Sequence, residues 1–315
     1  DANNPCIRIT AKLPPGCRAV FSLEPWRLEK RELQVREQLG LHMGAPYPVW
    51  HGKDTLPELS AGQIACFHHN EASSWKANLE RQGLGDLANE EDDPLLGRTF
   101  GLLARGVGAS RESVQALCIE NAATVEWTIV VLTSVVSSPG QWIDAAQKLA
   151  DQCVQVEPEA AWRAHLNWWE AFWQRSHIRI DGNEAGRKVA AGYEVQRYLN
   201  ACAGRGAYPI KFNGSLFTVD WGVPGERFDA DYRRWGPGYW HQNTRLPYWA
   251  MLYAGDFDLM RPFFRMYRQA LPLARERCRK FCHHEGAFFP ETMTFWGSYL
   301  EYDYRWENHP AEDTS

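Results

Sequence analysis

Between residues 6 and 137 hydrophobic positions recur at the short intervals of β-strands. Cys6-Ile-Arg-Ile-Thr10 alternates apolar and polar side chains, and Gln63-Ile-Ala-Cys-Phe-His68 is mostly apolar. Ser113-Val-Gln-Ala-Leu-Cys-Ile-Glu120 alternates again, ahead of a β-branched run from 125 to 136. A period of two sends successive side chains to opposite faces of a sheet, so these segments predict strands. Pro14-Pro-Gly16, Gly83-Leu-Gly85 and Asp92-Asp-Pro94 punctuate the runs with turn-forming residues, and strands spaced in this way predict an antiparallel β-sandwich.

After Ser137-Ser-Pro-Gly140 the period lengthens, and Trp142, Ala145, Ala146, Leu149 and Cys153 fall on one helical face. A second helix from Pro158 through Trp173 places Trp162, His165, Leu166, Trp169 and Trp173 on one stripe and reads as a linker helix against the sandwich. Asn183 to Cys202 predicts a third helix, with Tyr193, Arg197, Tyr198 and Ala201 on one face and Gly204-Arg-Gly206 ending it. Helical patterns return at 244–254 and 260–281, the latter aligning Phe263, Tyr267, Ala270 and Ala274. Asp256 and Asp258 are expected to cap that last helix, and Pro272 to bend or break it. Helices joined by long loops rich in Trp, Gly, Pro and Asn predict a helical toroid whose loops build a pocket at one end. The expected fold class is a multidomain α+β protein: an antiparallel β-sandwich (1–138), a helical linker (139–180) and part of a helical toroid (181–315). No further core element is evident after Glu307, so the chain is expected to be a piece of a longer protein.

A chain of 315 residues, 44% of them hydrophobic, can bury the cores of two such domains. With a net charge of -5 and dispersed Lys and Arg, it lacks the basic patch that phosphate recognition needs, so nucleic acid is not an expected partner. The longest apolar stretch, starting at Trp127, is β-branched and too short for a membrane-crossing helix. The first residues lack the basic end and apolar run of a signal peptide. None of the eight cysteines forms a Cys-x-x-Cys pair, and most are expected to be buried thiols. Cys278 and Cys282, with His283 and His284, have a spacing that could seat a metal, but no second ligand pair lies at finger-like distance and no metal is assigned. Dinucleotide, P-loop and serine-hydrolase motifs are absent from the sequence, and no organic cofactor is implied.

Ten of the 15 tryptophans lie between 162 and 306, which concentrates large flat rings in the second half and makes a pocket there a better account than a core alone. Trp235 to Trp249 mixes Trp and Tyr with His241, Gln242, Asn243 and Arg245. Aromatic rings cover the apolar faces of sugars while amide and guanidinium groups bond their hydroxyls, so the mixture fits an oligo- or polysaccharide ligand. Glu291 is the leading catalytic carboxyl, expected to be desolvated among Phe288, Phe289, Phe295 and Trp296 and so to act as an acid; a loop Glu bonded to backbone amides or an Arg is the plainer alternative. His241 and Asn243 are expected to orient water or a sugar hydroxyl, or else to cap a helix. Substrate binding is assigned to Trp240, Gln242, Arg245, Asn213, Trp296 and His69; Arg245 could hold a carboxylate, including that of Glu291, and Trp249 is expected to face a helix core. A non-catalytic carbohydrate-binding protein, a lyase and a phosphorylase are the alternatives to a glycoside hydrolase.

The order of sandwich, His165-x-x-Trp168-Trp169-x-x-Phe172-Trp173-x-x-Ser176, Tyr193-x-x-x-Arg197-Tyr198-Leu199, and Trp235-Gly-x-x-Tyr239 to Tyr248-Trp249 resembles glycoside hydrolase family 95. His68-His-Asn-Glu-Ala-Ser-Ser-Trp75, Asp93-Pro-Leu-Leu-Gly-Arg-Thr-Phe-Gly101 and Phe289-Pro-Glu-Thr-Met-Thr-Phe-Trp-Gly297 resemble more closely a neighbouring family that carries a domain called DUF5703. The resemblance implies a β-sandwich followed by an (α/α)6 barrel, inverting hydrolysis in the barrel mouth, often of α-L-fucosides or related galactosides, and a secreted or periplasmic setting. It also implies a pair of asparagines before the Tyr-Trp pair; the matching positions are His241 and Asn243, so one is replaced. The family's general acid is expected to lie beyond residue 315.

Overall fold

The structure, a computed structural model, describes residues 1–33, 48–211 and 238–299. Two compact units divide these residues, and the first comprises 1–31, 50–73 and 93–171. The strands of its two larger sheets are β1 (Cys6–Lys12), β2 (Arg18–Ser22), β3 (Gln63–His69), β4 (Arg98–Gly106), β5 (Ser110–Ser113), β6 (Ala116–Glu120) and β7 (Thr124–Val135). An antiparallel four-stranded sheet runs β1-β7-β4-β3, and an antiparallel three-stranded sheet runs β2-β6-β5. Alternate residues of the larger sheet, Ile64, Ala104, Val125, Trp127 and Ile129, bury against Leu117, Ile119 and Phe21 of the smaller one. The two-residue period therefore builds a sandwich, as expected.

The opposite face of the larger sheet is covered too. Helix α2 (Pro139–Gln155) lays Trp142, Ala146, Ala150 and Cys153 on Cys6, Ala65, Phe67, Leu103 and Val130. Trp142 is fully buried, its ring 4.7 Å from that of Phe67, and its indole N–H donates to the Leu132 carbonyl at 3.2 Å. Double coverage explains why β3 reads as an apolar run. Gly97, at φ +69, precedes β4 where a Cβ would stand 2.3 Å from the Val136 carbonyl oxygen, so only glycine lets the two strand ends pair there.

The alternation from Ser113 to Glu120 predicts one strand, but the chain reverses within it. Ser113 pairs with Ala116 across a two-residue turn, where the Gln115 N–H donates to Ser113 Oγ at 3.1 Å. A two-residue turn preserves the parity of the pattern, so periodicity does not reveal it.

Helix α3 (Pro158–Arg175) has the predicted extent but not the predicted buried face. Trp162 is 59% and Leu166 46% exposed, whereas Ala161 and Phe172 are buried. Trp162 stacks on His165 at 5.2 Å, His165 Nδ1 accepts from the Ala2 N–H at 3.0 Å, Trp169 meets Trp168 edge-on at 4.9 Å, and the Arg197 guanidinium lies 5.4 Å from the Trp173 ring.

The described residues of the second unit are 32–33, 48–49, 74–92, 172–211 and 238–299. They include α1 (Trp75–Arg81), α4 (Glu184–Ala203), the short α5 (His241–Thr244), α6 (Leu246–Ala254) and α7 (Phe257–Arg277). Asn183 caps α4 by accepting the Gly186 N–H at 2.9 Å. Asn183→Ala is expected to cost about 1 kcal/mol, measurable as a lower urea midpoint with an unchanged slope.

Pro272 does not break α7, and Asp256 does not cap it. The helix continues through Pro262 and Pro272, held on either side of the second ring by the buried residues Met266, Ala270, Ala274 and Arg277. Asp256 occupies the N-cap position but makes no side-chain cap; its carboxylate is taken by Arg197, with Nη2 to Oδ1 at 2.9 Å and Nε to Oδ2 at 3.1 Å. A charged, bidentate partner outcompetes a backbone amide for the same oxygens.

Candidate active site

Two short strands form the centre of the site. β8 (Tyr239–Trp240) pairs antiparallel with β9 (Thr292–Met293), Tyr239 opposite Met293 and Trp240 opposite Thr292. The ladder gains one more rung where the His241 N–H donates to the Glu291 carbonyl at 2.8 Å. The pairing brings Trp240, His241 and Glu291 together across about fifty residues of sequence, and α5, starting at His241, carries Gln242 and Asn243 with them.

The ladder is anchored from below by Tyr239, Met266 and Met293, all buried, with Tyr208, Tyr267, Phe289 and Phe295 packed against them. The exposed His241 lies with its ring 6.4 Å from Phe263 in a stacked arrangement and 5.9 Å from Tyr267 edge-on. Tyr267 in turn meets Phe289 at 5.3 Å. The Tyr267 hydroxyl and the Trp296 indole nitrogen are buried with no hydrogen-bond partner among the described residues. Each is a donor whose desolvation is not compensated among the described residues. Burial also pushes the Tyr267 hydroxyl up to about 12, so it stays protonated and able to donate.

Glu291 differs from its expected surroundings. It is exposed, while Pro290, Thr292 and Met293 beside it are buried. Glu291 stands just before β9, whose two residues are both buried, and its side chain faces solvent. Among the described residues neither Glu291 nor Arg245 forms an ion pair, so the expected Arg245–Glu291 clamp is not made; Arg245 is exposed at the start of α6. Trp249 is 53% exposed rather than facing a helix core, because Tyr248 and Met251 occupy the buried side of α6.

Trp296 belongs to the same aromatic group, edge-on to Phe295 at 4.8 Å, and Phe295 packs on Tyr208 at 4.5 Å. Asn213 and the stretch from Trp235 to Pro237 lie outside the described residues. His69 belongs to β3 in the first unit, where its Nδ1 is 2.6 Å from Thr99 Oγ1.

Lys211 is a member that sequence reasoning passed over. Its Nζ donates to the Gly238 carbonyl at 3.1 Å and sits 4.0 Å from the centre of the Tyr239 ring. Burial lowers its ammonium from 10.5 to about 7. Tyr239 donates to the Pro209 carbonyl at 3.3 Å and Tyr248 accepts from the Ile210 N–H at 3.0 Å, so the segment carrying Lys211 is held along β8 and α6. The available signal was a single lysine within Tyr208-Pro-Ile-Lys-Phe212, an aromatic and apolar context. A separate cleft of about 430 Å³ in the same unit is lined by Trp173, His177, Glu194, Val195 and Tyr198, with His177 Nδ1 3.9 Å from Glu194 Oε1.

Residues 1–178 match the family model DUF5703_N, described as "Domain of unknown function (DUF5703)". The match includes two of the three stretches that resemble this family, His68 to Trp75 and Asp93 to Gly101. No curated protein matches the chain. Among solved structures, one named "Putative kojibiose phosphorylase from human microbiome" is similar at 17% identity and a TM-score of 0.44, over 65% of this chain and 27% of that one. The chain therefore spans about a quarter of that structure's length. Among the described residues, no helix is long and apolar enough to cross a membrane.

Proposed function

The chain belongs to the DUF5703_N family, and from that premise we propose that it is part of a carbohydrate-active enzyme, a glycoside hydrolase that acts on an oligo- or polysaccharide. The reading divides the chain into a sandwich (1–138), a linker (139–180) and the first part of an (α/α)6 catalytic barrel (181–315), with the inverting chemistry of family 95. The observation that carries it is the β8–β9 ladder, which joins an aromatic ring, an imidazole and an exposed carboxylate beside two unpartnered buried donors. Phosphate or nucleotide recognition would ask for clustered cations in place of those groups.

Inverting hydrolysis places two carboxyl groups about 6.5–9.5 Å apart, one protonating the leaving oxygen and the other activating water on the opposite face. In this reading Glu291 supplies one carboxyl, and the second comes from sequence beyond this chain. His241 and Asn243 orient the water or a ring hydroxyl, and Trp240 and Trp296 flank the sugar. Solvent access keeps Glu291 able to exchange protons with water between turnovers.

The test uses the full-length protein with aryl glycosides and plant and mucin oligosaccharides. Glu291→Gln is expected to lower turnover by about 100-fold or more while saccharide binding persists, since a positioned acid or base contributes about 10²–10⁴-fold. Trp240→Ala is expected to weaken binding. Unchanged turnover in Glu291→Gln would sink the assignment of that residue. Saccharide binding without turnover in the wild type would make this a binding protein, and strict phosphate dependence would make it a phosphorylase.

A further inference from the structure

We propose that Cys278, Cys282 and His284 form a binding site for a thiophilic divalent cation, zinc foremost, which clamps the end of α7 to the loop leading into β9. The donor atoms of these three residues all lie within 4.8 Å of one another. The Cys278 sulfur is 3.5 Å from His284 Nδ1. A tetrahedral zinc with bonds of about 2.3 Å to sulfur and about 2.0–2.1 Å to nitrogen separates such a pair of donors by about 3.6 Å, so this edge is already at its bound length.

The backbone builds the site in three steps. After α7 the helix widens into one π-helical turn, Cys278–Cys282, which carries both cysteines. π-turns of this kind are rare and often mark functional positions. His283 then ends the helix in the left-handed capping conformation, φ 56, and His284 follows with its Nδ1 3.5 Å from the Cys278 sulfur. Gly286, at φ +153, passes over the group where a Cβ would stand 3.2 Å from the Cys278 sulfur and 3.5 Å from the His284 ring. A side chain at that position would crowd the donors.

Cys278 is buried while Cys282, His284 and Glu285 are exposed, so the cluster has a solid floor and one open side. Two thiolates, one neutral imidazole and a water, or the Glu285 carboxylate, complete four-coordination. Binding converts two thiols to thiolates and releases two protons per zinc ion, without any change of oxidation state. It also replaces the present hydrogen bond from His284 Nδ1 to the Glu285 carbonyl, 2.8 Å long. The loop so held runs on to Phe288, whose carbonyl accepts from Arg277 Nη1 at 2.8 Å, and then to Glu291. The inference does not depend on the proposed glycosidase activity.

The experiment is titration of the reduced, metal-free chain with Zn²⁺ and, separately, with Co²⁺, whose thiolate complexes absorb by charge transfer. The expected result is one ion per chain, a thiolate-to-cobalt band, proton release in weakly buffered solution and a higher melting temperature. Cys282→Ser and His284→Gln, both at exposed positions, are expected to weaken zinc by about 100-fold or more, beyond the loss that outer-shell partners cause. Cys202→Ser, an exposed cysteine on another helix, is expected to change nothing. Absence of the cobalt band, zinc affinity indifferent to Cys282→Ser, or a Cys278–Cys282 disulfide as the form that persists under mild reductant would each overturn the proposal.

Discussion

Arg197→Met is expected to remove about 3–5 kcal/mol from the unfolding free energy, the cost of leaving a buried charge without its partner. Arg197 is 2% and Asp256 1% exposed. Besides its two bonds to Asp256, Arg197 donates to the carbonyls of Ser176 and Phe172, and its guanidinium lies 4.2 Å from the centre of the Phe172 ring. One side chain thus joins three segments, the end of α3, the middle of α4 and the start of α7. Methionine keeps the length and loses the charge and every donor. Asp256→Asn is expected to cost less, because the amide oxygen still accepts from Arg197, while Arg175, 3.6 Å from Asp256, already has Asp258 as its partner at 2.5 Å. Urea unfolding of the single variants and of Arg197→Met with Asp256→Leu gives a double-mutant cycle. A loss below about 1 kcal/mol in Arg197→Met would show that the pair is not structural in this way.

Lys211→Met is expected to abolish a rise in stability between pH 7 and pH 9. The folded state holds the Lys211 ammonium at about 7 against an ordinary value of 10.5. Between those values the unfolded chain binds the extra proton, so stability increases with pH, by at most about 1.4 kcal/mol per pH unit for one proton. Cysteines act in the opposite sense at higher pH. Burial pushes the Cys66 and Cys153 thiols up from 9.0 to about 11, so the folded state retains protons that the unfolded state loses, and stability falls above pH 9. Tyr248 and Tyr267, both raised to about 12, add to that fall. The window left to Lys211 runs from pH 7 to pH 9, with a gain of up to about 2 kcal/mol. Urea midpoints at pH 7, 8 and 9 measure it. Equal slopes in wild type and variant would show that Lys211 does not titrate there.

The strand pattern from 6 to 12, the apolar run at 63–69 and the β-branched run at 124–135 were legible because a sheet buried on one or both faces selects its side chains by a period of two. Helices 139–155 and 184–203 were legible in the same way, aided by the Ser138-Pro139 and Asn183 start signals and by Gly204 at the end of the second. The aromatic stripe on 158–175 misled because hydrophobicity states a residue's preference, whereas the face that is buried depends on which neighbour arrives. The turn at 114–115 was hidden by parity.

The candidate site divides along the same line. Local composition by itself singled out His241, Asn243, Trp240 and Glu291, since rings mixed with amides, an imidazole and a carboxylate make a poor core and a good sugar contact. That Glu291 and His241 share one backbone hydrogen bond was decided only by the pairing of β8 with β9, a contact across a long loop that no periodicity encodes. The exposure of Glu291, the lowered ammonium of Lys211 and the capture of Asp256 by Arg197 were likewise decided in three dimensions. Burial, charge pairing and the donor geometry around Cys278 are properties of neighbours in space, whereas period, turn chemistry and residue type are properties of the chain; the former arise only once the latter have folded it.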